Sequence, residues 1–275
     1  MENPIDSFKQ LILFIEENIH EVITLEMLEK KSGFSRFQLT RLFLKLTGYS
    51  PIEYIRRRKL SKSIPDLYNK RKVIDIALDY GFEYEQSYIR AFRSVYNFSP
   101  TQLRKLEQKV TLFETPALND IRIYTDGFLT APEIKYLSGL TFSGEEKYYN
   151  YKDNDVYGLP LLDGLSSRTK GIFTGICIPC GSGSFNHRYI SCNNYNEQGS
   201  TIYNLPKGRY TVFNYIGFHK FDKNSAHRIR TLMYIVIRSW ANRNHFHWQE
   251  NFIEQVNLDL ISDNYIEVDI TVPFF

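Results

Sequence analysis

Residues 76–100 read IALDYGFEYEQSYIRAFRSVYNFSP, and this stretch decides the fold of the first third of the chain. A short apolar stripe at helical spacing ends at Tyr80, and Gly81 supplies a tight turn directly after it. The helix that follows is predicted to bury Tyr88, Phe92 and Val95. The segment is therefore typical of a helix–turn–helix unit. The stripe consists of Val73, Ile76, Ala77 and Tyr80.

An earlier copy of the same pattern precedes this one. Thr24 is predicted to cap a short helix that runs to Lys31, Gly33 permits a left-handed turn, and Ser35 caps the next helix. That helix is predicted to end at Gly48. The segment KLTGYSP at 45–51 then matches SVYNFSP at 94–100 with a spacing of 49 residues. We interpret the two copies as an internal duplication of one helix–turn–helix unit.

Composition limits the class of protein. A chain of 275 residues with 43% hydrophobic residues predicts two folded domains and excludes disorder. Its three cysteines do not form a disulfide framework. No apolar run is long enough for a membrane span, and the first residues lack the order of a signal peptide. We therefore expect a cytoplasmic protein without a membrane partner.

The net charge of +3 is unevenly distributed along the chain. Residues 1–110 carry 19 basic and 14 acidic residues, a net +5, and residues 111–275 carry 15 basic and 17 acidic residues, a net −2. Eight basic residues fall within 56–72, where Asp66 is the one acid. Such a density is typical of phosphate binding, but it is also found on solvated helix faces.

Residues 5–108 resemble the DNA-binding domain of the AraC/XylS family of transcription regulators. The resemblance rests on SGFS at 32–35, YIRRRKL at 54–60, IALDYGF at 76–82, QSYIRAFR at 86–93 and NFSP at 97–100. It implies an all-α domain, placed at 1–110, with two helix–turn–helix units joined by a linker helix. Each unit would place its second helix in a major groove, about one turn (~34 Å) from the other. The implied partners are double-stranded promoter DNA and RNA polymerase.

The resemblance assigns base-reading residues position by position: Arg36, Phe37, Thr40 and Arg41 in the first unit, and Glu85, Gln86, Ile89 and Arg90 in the second. Phosphate contacts are assigned to Lys45, Arg57, Arg58 and Arg93. Two alternatives stay open, since Phe37 also suits a partly exposed core position and Glu85 a helix cap or ion pair. Pro65 departs from the family pattern, and we expect it to end the linker helix near Lys62 or to bend it.

Residues 111–275 change to strand-like runs with period-2 alternation. One helix is predicted from an apolar stripe between Ile229 and Trp240. An α+β domain of two strand–helix–strand–strand halves with an antiparallel sheet is the expected fold. The predicted strands are 121–124, 134–141, 171–178, 187–192, 200–205, 208–216 and 265–273, with a less regular segment at 154–167.

This part resembles the gyrase-inhibitor-like effector-binding domain of Rob-like regulators. The resemblance rests on LPKGRYTVF at 205–213, Gly217, the helix at 233–240, FIE at 252–254 and IEVDITVP at 266–273. It implies a groove for a small aromatic or cationic effector, with Glu254 as its acidic residue. Carboxylate and ring faces together attract lipophilic cations, and residues 111–275 hold 13 Tyr, 12 Phe and 2 Trp. Candidate walls are Tyr149, Tyr189, Tyr215 and Trp240.

Cys177, Cys180, His187 and Cys192 have a spacing compatible with zinc. Strand alternation, however, points His187 and Cys192 to opposite faces, so we expect no metal and no cofactor. We also expect no enzymatic activity, because no nucleophile triad, phosphate loop or HExxH pattern is present. Two rivals to effector sensing remain: a second domain that only contacts proteins, and one that hydrolyses small molecules with Glu254 as general base.

Overall fold

The protein is described by a computed structural model over residues 4–106, 110–116, 122–124, 127–150, 159–166, 170–180, 186–192, 201–246, 248 and 251–273. The chain divides into two compact units, Met1–Asn119 and Asp120–Phe275. This boundary lies beyond the division predicted at 110/111, because Phe113 packs in the first unit. Its backbone N–H donates to the Ser61 hydroxyl (2.9 Å), and its ring lies edge-on to Tyr49 and Tyr54.

Helices make up the regular structure described in the first unit. They are α1 (Pro4–Glu17), α2 (Leu25–Ser32), α3 (Arg36–Thr47), α4 (Pro51–Tyr68), α5 (Val73–Asp79), α6 (Glu85–Tyr96) and α7 (Pro100–Leu106). α2 with α3, and α5 with α6, are the two helix–turn–helix units, and α4 links them. The helical character predicted for this part of the chain is confirmed. Among the described residues of the whole chain, no helix has the length and apolar character needed to cross a membrane.

Capping explains why the first unit folds locally as its sequence predicts. The Thr24 hydroxyl accepts from the Met27 N–H, and Gly33 ends α2 in the left-handed conformation (φ +73°). Ser35 forms a reciprocal capping box with Gln38 at the start of α3, and Gly48 ends that helix at φ +78°. Each of these caps satisfies backbone groups that a helix end leaves without partners.

A buried lysine positions the turn of the second helix–turn–helix unit. Lys59 of α4 donates from Nζ to the carbonyls of Glu21 (2.5 Å) and Tyr80 (2.9 Å). Gly81 has φ +70°, and a Cβ there would lie 2.8 Å from Lys59 Nζ. A glycine is therefore required for the turn and also for the space that the ammonium occupies. The pKa of Lys59 is lowered by burial, which the nearby charge of Glu21 partly opposes.

The linker helix α4 runs to Tyr68, so of the two outcomes expected of Pro65 an end near Lys62 is wrong, while a bend stays a prediction. Pro65 lies in its last turn, where the missing N–H removes one backbone bond. The helix continues because Ile64 and Leu67 are buried in the core of the second helix–turn–helix unit. The Asn69 N–H donates to the Pro65 carbonyl (3.0 Å) and completes the helix end.

A buried ion pair joins the linker helix to α1. Arg58, 4% exposed, donates from Nε and Nη2 to the two carboxylate oxygens of Glu16 at 2.7 and 2.6 Å. Its Nη1 also donates to the Phe113 carbonyl. Burial would raise the pKa of Glu16, but the hydrogen bonds and charges of Arg58 and Lys62 outweigh burial and hold it below its usual value. This bidentate pair fixes α4 against α1.

In the described residues of the second unit, ten strands form one sheet with antiparallel pairings. Its order is β1-β2-β8-β10-β9-β5-β6-β4-β7, and β3 also pairs with β8. The antiparallel β-rich second part is thus confirmed. The elements are β1 (Arg122–Tyr124), β2 (Gly127–Leu129), β3 (Glu133–Leu137), β4 (Leu140–Asn150), α8 (Leu159–Ser166), β5 (Ile172–Pro179), β6 (Asn186–Cys192), β7 (Thr201–Leu205), β8 (Gly208–Gly217), α9 (Lys223–Arg243), β9 (Phe252–Asn257) and β10 (Ile266–Pro273).

Strand alternation separates two hydrophobic clusters on the sheet. Phe173, Tyr189 and Val256 pack in one cluster with residues of α8 and α9, so both helices cover the same face. Ile176, Ile190 and Ile253 belong to a different cluster. Side chains at even positions of β9, including Glu254, therefore point toward the helices.

The strands differ from prediction at three places. The run predicted at 134–141 divides into β3 and β4, because Gly139 adopts φ +94° between them. Neither β2 nor β9 is among the strands predicted from alternation, although FIE at 252–254, on which the resemblance partly rests, lies in β9. The segment expected to be irregular contains α8 at Leu159–Ser166. Residues 121, 154–158, 167 and 200 of the predicted elements lie outside the described residues.

The pair between Glu16 and Arg58 gives a pH-dependent stability. Because the folded pKa of Glu16 is lowered, its contribution is complete above the unfolded pKa and is lost as pH falls through the folded value. Glu16→Gln should cost roughly 1–3 kcal/mol at pH 7, less than a fully buried pair because the Glu16 side chain is 20% exposed. The difference in the free energy of unfolding between Glu16→Gln and the wild type should vanish in acid.

Denaturation followed by the helical circular-dichroism signal measures this effect, since α1 to α7 supply most of that signal. Glu17→Gln is the matched control, because Glu17 is an exposed neighbour on the same helix. A pH-independent loss in Glu16→Gln would contradict the role of the pair.

Candidate functional sites

The exposed face of α3 carries the residues predicted to read bases in the first helix–turn–helix unit. Phe37 is 42% exposed, so its ring is largely outside the core. Thr40 is half-buried and donates its hydroxyl to the Arg36 carbonyl (2.8 Å). Arg36 is exposed but forms ion pairs with Glu26 (2.6 Å) and Glu29 (3.5 Å) of α2. Arg41 and Lys45 are half-buried on the same helix.

The corresponding face of α6 also combines exposed and half-buried residues. Gln86, Arg90 and Arg93 are exposed, and Glu85 is half-buried at the first position of the helix. Ile89 is also half-buried and packs against the core of this unit, so part of its side chain is structural. Glu85 and Gln86 border a surface hollow that is also lined by Ile74, Leu78 and Tyr84. The two helix–turn–helix units thus present corresponding faces of different charge.

The predicted phosphate contacts of the linker helix are less accessible than expected. Arg58 is buried and bound to Glu16, so its guanidinium does not face solvent, and we withdraw its assignment to phosphate. Arg57 is 23% exposed, pairs with Glu53 (2.8 Å) and lies 4.2 Å over the ring of Tyr49. The density of basic residues in 56–72 is therefore partly structural.

A buried polar cluster lies on the helix side of the second unit's sheet. Glu254 of β9 is 1% exposed, and its Oε1 accepts hydrogen bonds from the Tyr189 hydroxyl and from Arg230 Nη2 (2.6 Å). Tyr189 is fully buried in β6, and Arg230 is 5% exposed in α9. The guanidinium lies 5.5 Å from the Tyr189 ring centroid and 5.2 Å from that of Phe252. We call Tyr189, Arg230, Phe252 and Glu254 the Glu254 cluster.

The position of Tyr189 depends on a glycine. Gly175 pairs with Glu254 in the β5–β9 register, and Cys177 of β5 pairs with Tyr189 of β6. A Cβ on Gly175 would lie 1.8 Å from the Tyr189 hydroxyl oxygen. The ring therefore crosses β5 over Gly175 to reach the carboxylate. Burial, and next the charge of Glu254, raise the pKa of Tyr189 well above its usual value, so the phenol stays a hydrogen-bond donor.

Of the remaining candidate wall residues, Tyr149 lies beside the Glu254 cluster, whereas Tyr215 and Trp240 contact other side chains. Tyr149 is half-buried and stands edge-on to Tyr189, with ring centroids 6.2 Å apart, and its hydroxyl donates to Asp163 (3.2 Å). Tyr215 is 2% exposed and bonds through its hydroxyl to His219 Nε2 (2.9 Å). Trp240 packs edge-on against Phe213. For Tyr215 and Trp240 these contacts are with side chains outside the Glu254 cluster.

Arg230 was missed by the sequence analysis although a signal for it exists. It shares the buried face of α9 with Ala226, Met233 and Ile237, at helical steps of four and three residues. A charged residue within an apolar stripe requires a buried partner of opposite charge. That partner could not be identified without the pairing of β9 in the sheet.

The cysteines and His187 do not form a metal centre in the described part of the chain, where no group of three or more His, Cys, Asp or Glu side chains could hold a metal ion. Cys177 and Cys192 are buried, Cys180 is half-buried, and all three are free thiols. Cys177 and Cys192 also lie in the two different clusters of the sheet. They pack as small apolar residues.

The first unit, with two helix–turn–helix units joined by a linker helix, has the architecture of a double helix–turn–helix DNA-binding protein. A family model described as "Helix-turn-helix domain" matches residues 28–106. The Transposon Tn10 TetD protein of Escherichia coli is 34% identical over 98 residues, which are 35% of this chain and 71% of TetD. The chain belongs to the AraC/XylS family and is a DNA-binding transcription regulator with a helix–turn–helix domain of the AraC type.

Other relatives match a similar length of chain. Regulatory protein SoxS of Escherichia coli is 33% identical over 97 residues, 35% of this chain and 91% of SoxS. Transcriptional regulator Rob of Salmonella typhimurium is 34% identical over 98 residues, which are only 34% of its own length. Among solved structures, an AraC-type regulator from Chromobacterium violaceum covers 38% of this chain and 96% of its own, with 23% identity and a TM-score of 0.36.

The contact between Gly175 and Tyr189 gives a test of the Glu254 cluster. Gly175→Ala should destabilise the second unit by about 1–3 kcal/mol, because the new methyl group displaces the Tyr189 ring. Denaturation followed by tryptophan fluorescence reports on this unit, since Trp240 and Trp248 are the two tryptophans of the chain.

The control is the same substitution in a Tyr189→Ala background, where the clash is absent and Gly175→Ala should cost much less. An equal cost in both backgrounds would show that Tyr189 does not cross β5 over Gly175.

Proposed function

We propose that this chain is a ligand-responsive transcription regulator that binds promoter DNA through α3 and α6 and senses a small molecule in its second unit. The observation that carries the proposed DNA binding is the repeated helix–turn–helix unit. Each copy presents an exposed helix face with arginine and hydrogen-bonding side chains, as expected for two recognition helices in successive major grooves. The sensing part rests on the Glu254 cluster.

Base reading is assigned to both recognition helices. In α6, the exposed Arg90 and Gln86 suit guanine and adenine, while Glu85 suits a cytosine amino group. In α3, Arg41 suits guanine and Phe37 a thymine methyl group. Arg36 makes a weaker contribution because Glu26 and Glu29 compete for its guanidinium. Thr40 and Ile89 complete the set of base-reading residues.

Phosphate contacts are assigned to Lys45, Arg57 and Arg93. Arg93 is the most exposed of the three and lies in the last turn of α6. Such contacts orient a protein on DNA and carry no sequence information of their own. Binding therefore depends on salt, while specificity depends on Arg41 and Arg90.

The second unit is proposed to be a gyrase-inhibitor-like effector domain. Two features support this: the chain order β4-α8-β5-β6 is followed, after β7, by the same order β8-α9-β9-β10, and β5 and β9 pair at the centre of the sheet. The effector is a small aromatic or cationic molecule, and its site includes Glu254, Tyr189 and Tyr149. Effector binding shifts the population of molecules that seat both recognition helices on DNA.

Regulation is proposed to proceed through RNA polymerase at the promoter, in the cytoplasm. A hydrolytic role for the second unit has less support, because Glu254 is 1% exposed and paired with Arg230, and both features weaken it as a general base. For a second unit that only contacts proteins, Arg230 and Glu254 would be a structural ion pair, as Arg58 and Glu16 are in the first unit.

Base reading predicts a loss of specificity on mutation. Arg41→Ala and Arg90→Ala should each weaken binding to a specific site by about 1–3 kcal/mol and change binding to random DNA little, because each removes a bidentate base contact. Fluorescence anisotropy with both DNAs, at several salt concentrations, measures the difference.

Two arginines serve as controls. Arg93→Ala should weaken binding to both DNAs and reduce the salt slope by about one. Arg243→Ala, at the end of α9, should change neither. Equal losses on specific and random DNA for Arg41→Ala and Arg90→Ala would refute the base-reading role.

A further inference from the structure

The Glu254 cluster already contains a cation of its own. Arg230 Nη2 lies 2.6 Å from Glu254 Oε1, and both side chains are at least 94% buried. One guanidinium and one carboxylate give the cluster no net formal charge. The carboxylate that would attract a cationic ligand is therefore neutralised from within the fold.

The guanidinium also uses the aromatic surfaces of the site. It lies within 6 Å of the ring centroids of Tyr189 and Phe252, which is the range of a cation–π interaction. A lipophilic cation would need the same three partners: the carboxylate and the two rings. Arg230 thus makes the set of contacts that such a ligand would make.

Displacing Arg230 is unfavourable for a free cation. The arginine is covalently part of α9, whose neighbouring residues Ile229 and Met233 are packed in the core. A tethered group competes at a high effective concentration, so a ligand in dilute solution must bind far more tightly to replace it. Displacement would also leave the guanidinium buried without its carboxylate.

We propose that Arg230 determines the charge selectivity of the effector site: it excludes lipophilic cations and admits an aromatic ligand that is neutral or carries an anionic group. An anion meets Arg230 beside the rings of Tyr189 and Phe252, while a cation meets an arginine already in place. This inference rests on the proposed sensing role and narrows its effector from aromatic or cationic to aromatic and not cationic.

Two probes of equal shape and opposite charge test the selectivity. Tetraphenylborate and tetraphenylphosphonium are compared by calorimetry on the full chain, for the wild type, Arg230→Met and the double variant Arg230→Met with Glu254→Gln. The wild type should bind the borate at least tenfold more tightly than the phosphonium. Arg230→Met should bind the phosphonium at least tenfold more tightly than the wild type does, because Glu254 is then uncompensated. The double variant should lose that gain.

The outcomes separate this inference from the sensing proposal. If the wild type binds the phosphonium as tightly as Arg230→Met does, the inference is wrong and small-molecule sensing stands. If the wild type binds neither probe but Arg230→Met gains phosphonium binding through Glu254, the exclusion of cations by Arg230 stands, but the claim that the site admits an anionic ligand is overturned together with sensing by the wild-type site. If no variant binds either probe, the inference is overturned.

Folding of the variants is checked by circular dichroism before binding is measured. The double variant replaces a buried ion pair by a neutral pair of similar size and should fold even where Arg230→Met does not. Glu254→Gln alone then supplies the decisive measurement, because it removes the carboxylate that pairs with Arg230 and should tighten borate binding. Unchanged or weaker borate binding by Glu254→Gln would overturn the inference.

Discussion

The buried ammonium of Lys59 is the contact on which the geometry of the DNA-binding unit depends. It joins the carbonyl that follows α1 to the carbonyl that precedes the turn of the second helix–turn–helix unit. His20 supports the same junction, since its Nδ1 lies 2.9 Å from the Asp79 carbonyl oxygen and its ring packs on Tyr80. This junction therefore holds α4 between the end of α1 and the turn that joins α5 to α6.

The basic stretch at 56–72 shows why net charge alone overstates contact with nucleic acid. Lys59 and Arg58 are buried and bind groups of the protein itself. Arg56 and Arg57 both pair with Glu53. Part of the net charge of +5 in residues 1–110 thus holds the fold together, and the exposed arginines of α6 are better placed for DNA. Burial, which composition does not record, distinguishes the two uses of a positive charge.

Sequence predicted the first unit well because its signals are local. Ser35, Gly33 and Gly48 cap and terminate helices through contacts within five residues, and a capped helix needs no knowledge of the rest of the chain. Pro65 does not end the helix near Lys62, one of the two outcomes expected of it, because the packing of Leu67 outweighs one lost hydrogen bond. The Glu254 cluster could be predicted only in part. Glu254 came from family resemblance, whereas Arg230 became visible only once α9 and β9, 24 residues apart at this contact, were brought together.

The proposed DNA recognition requires that α3 and α6 bind one DNA duplex at a fixed separation. Selection of bound sequences from a random library with the full chain measures this directly. We expect two conserved segments about one helical turn apart, and inserting five base pairs between them should reduce affinity to that of a single segment. A single conserved segment, or two segments whose spacing can be changed without loss of affinity, would contradict it.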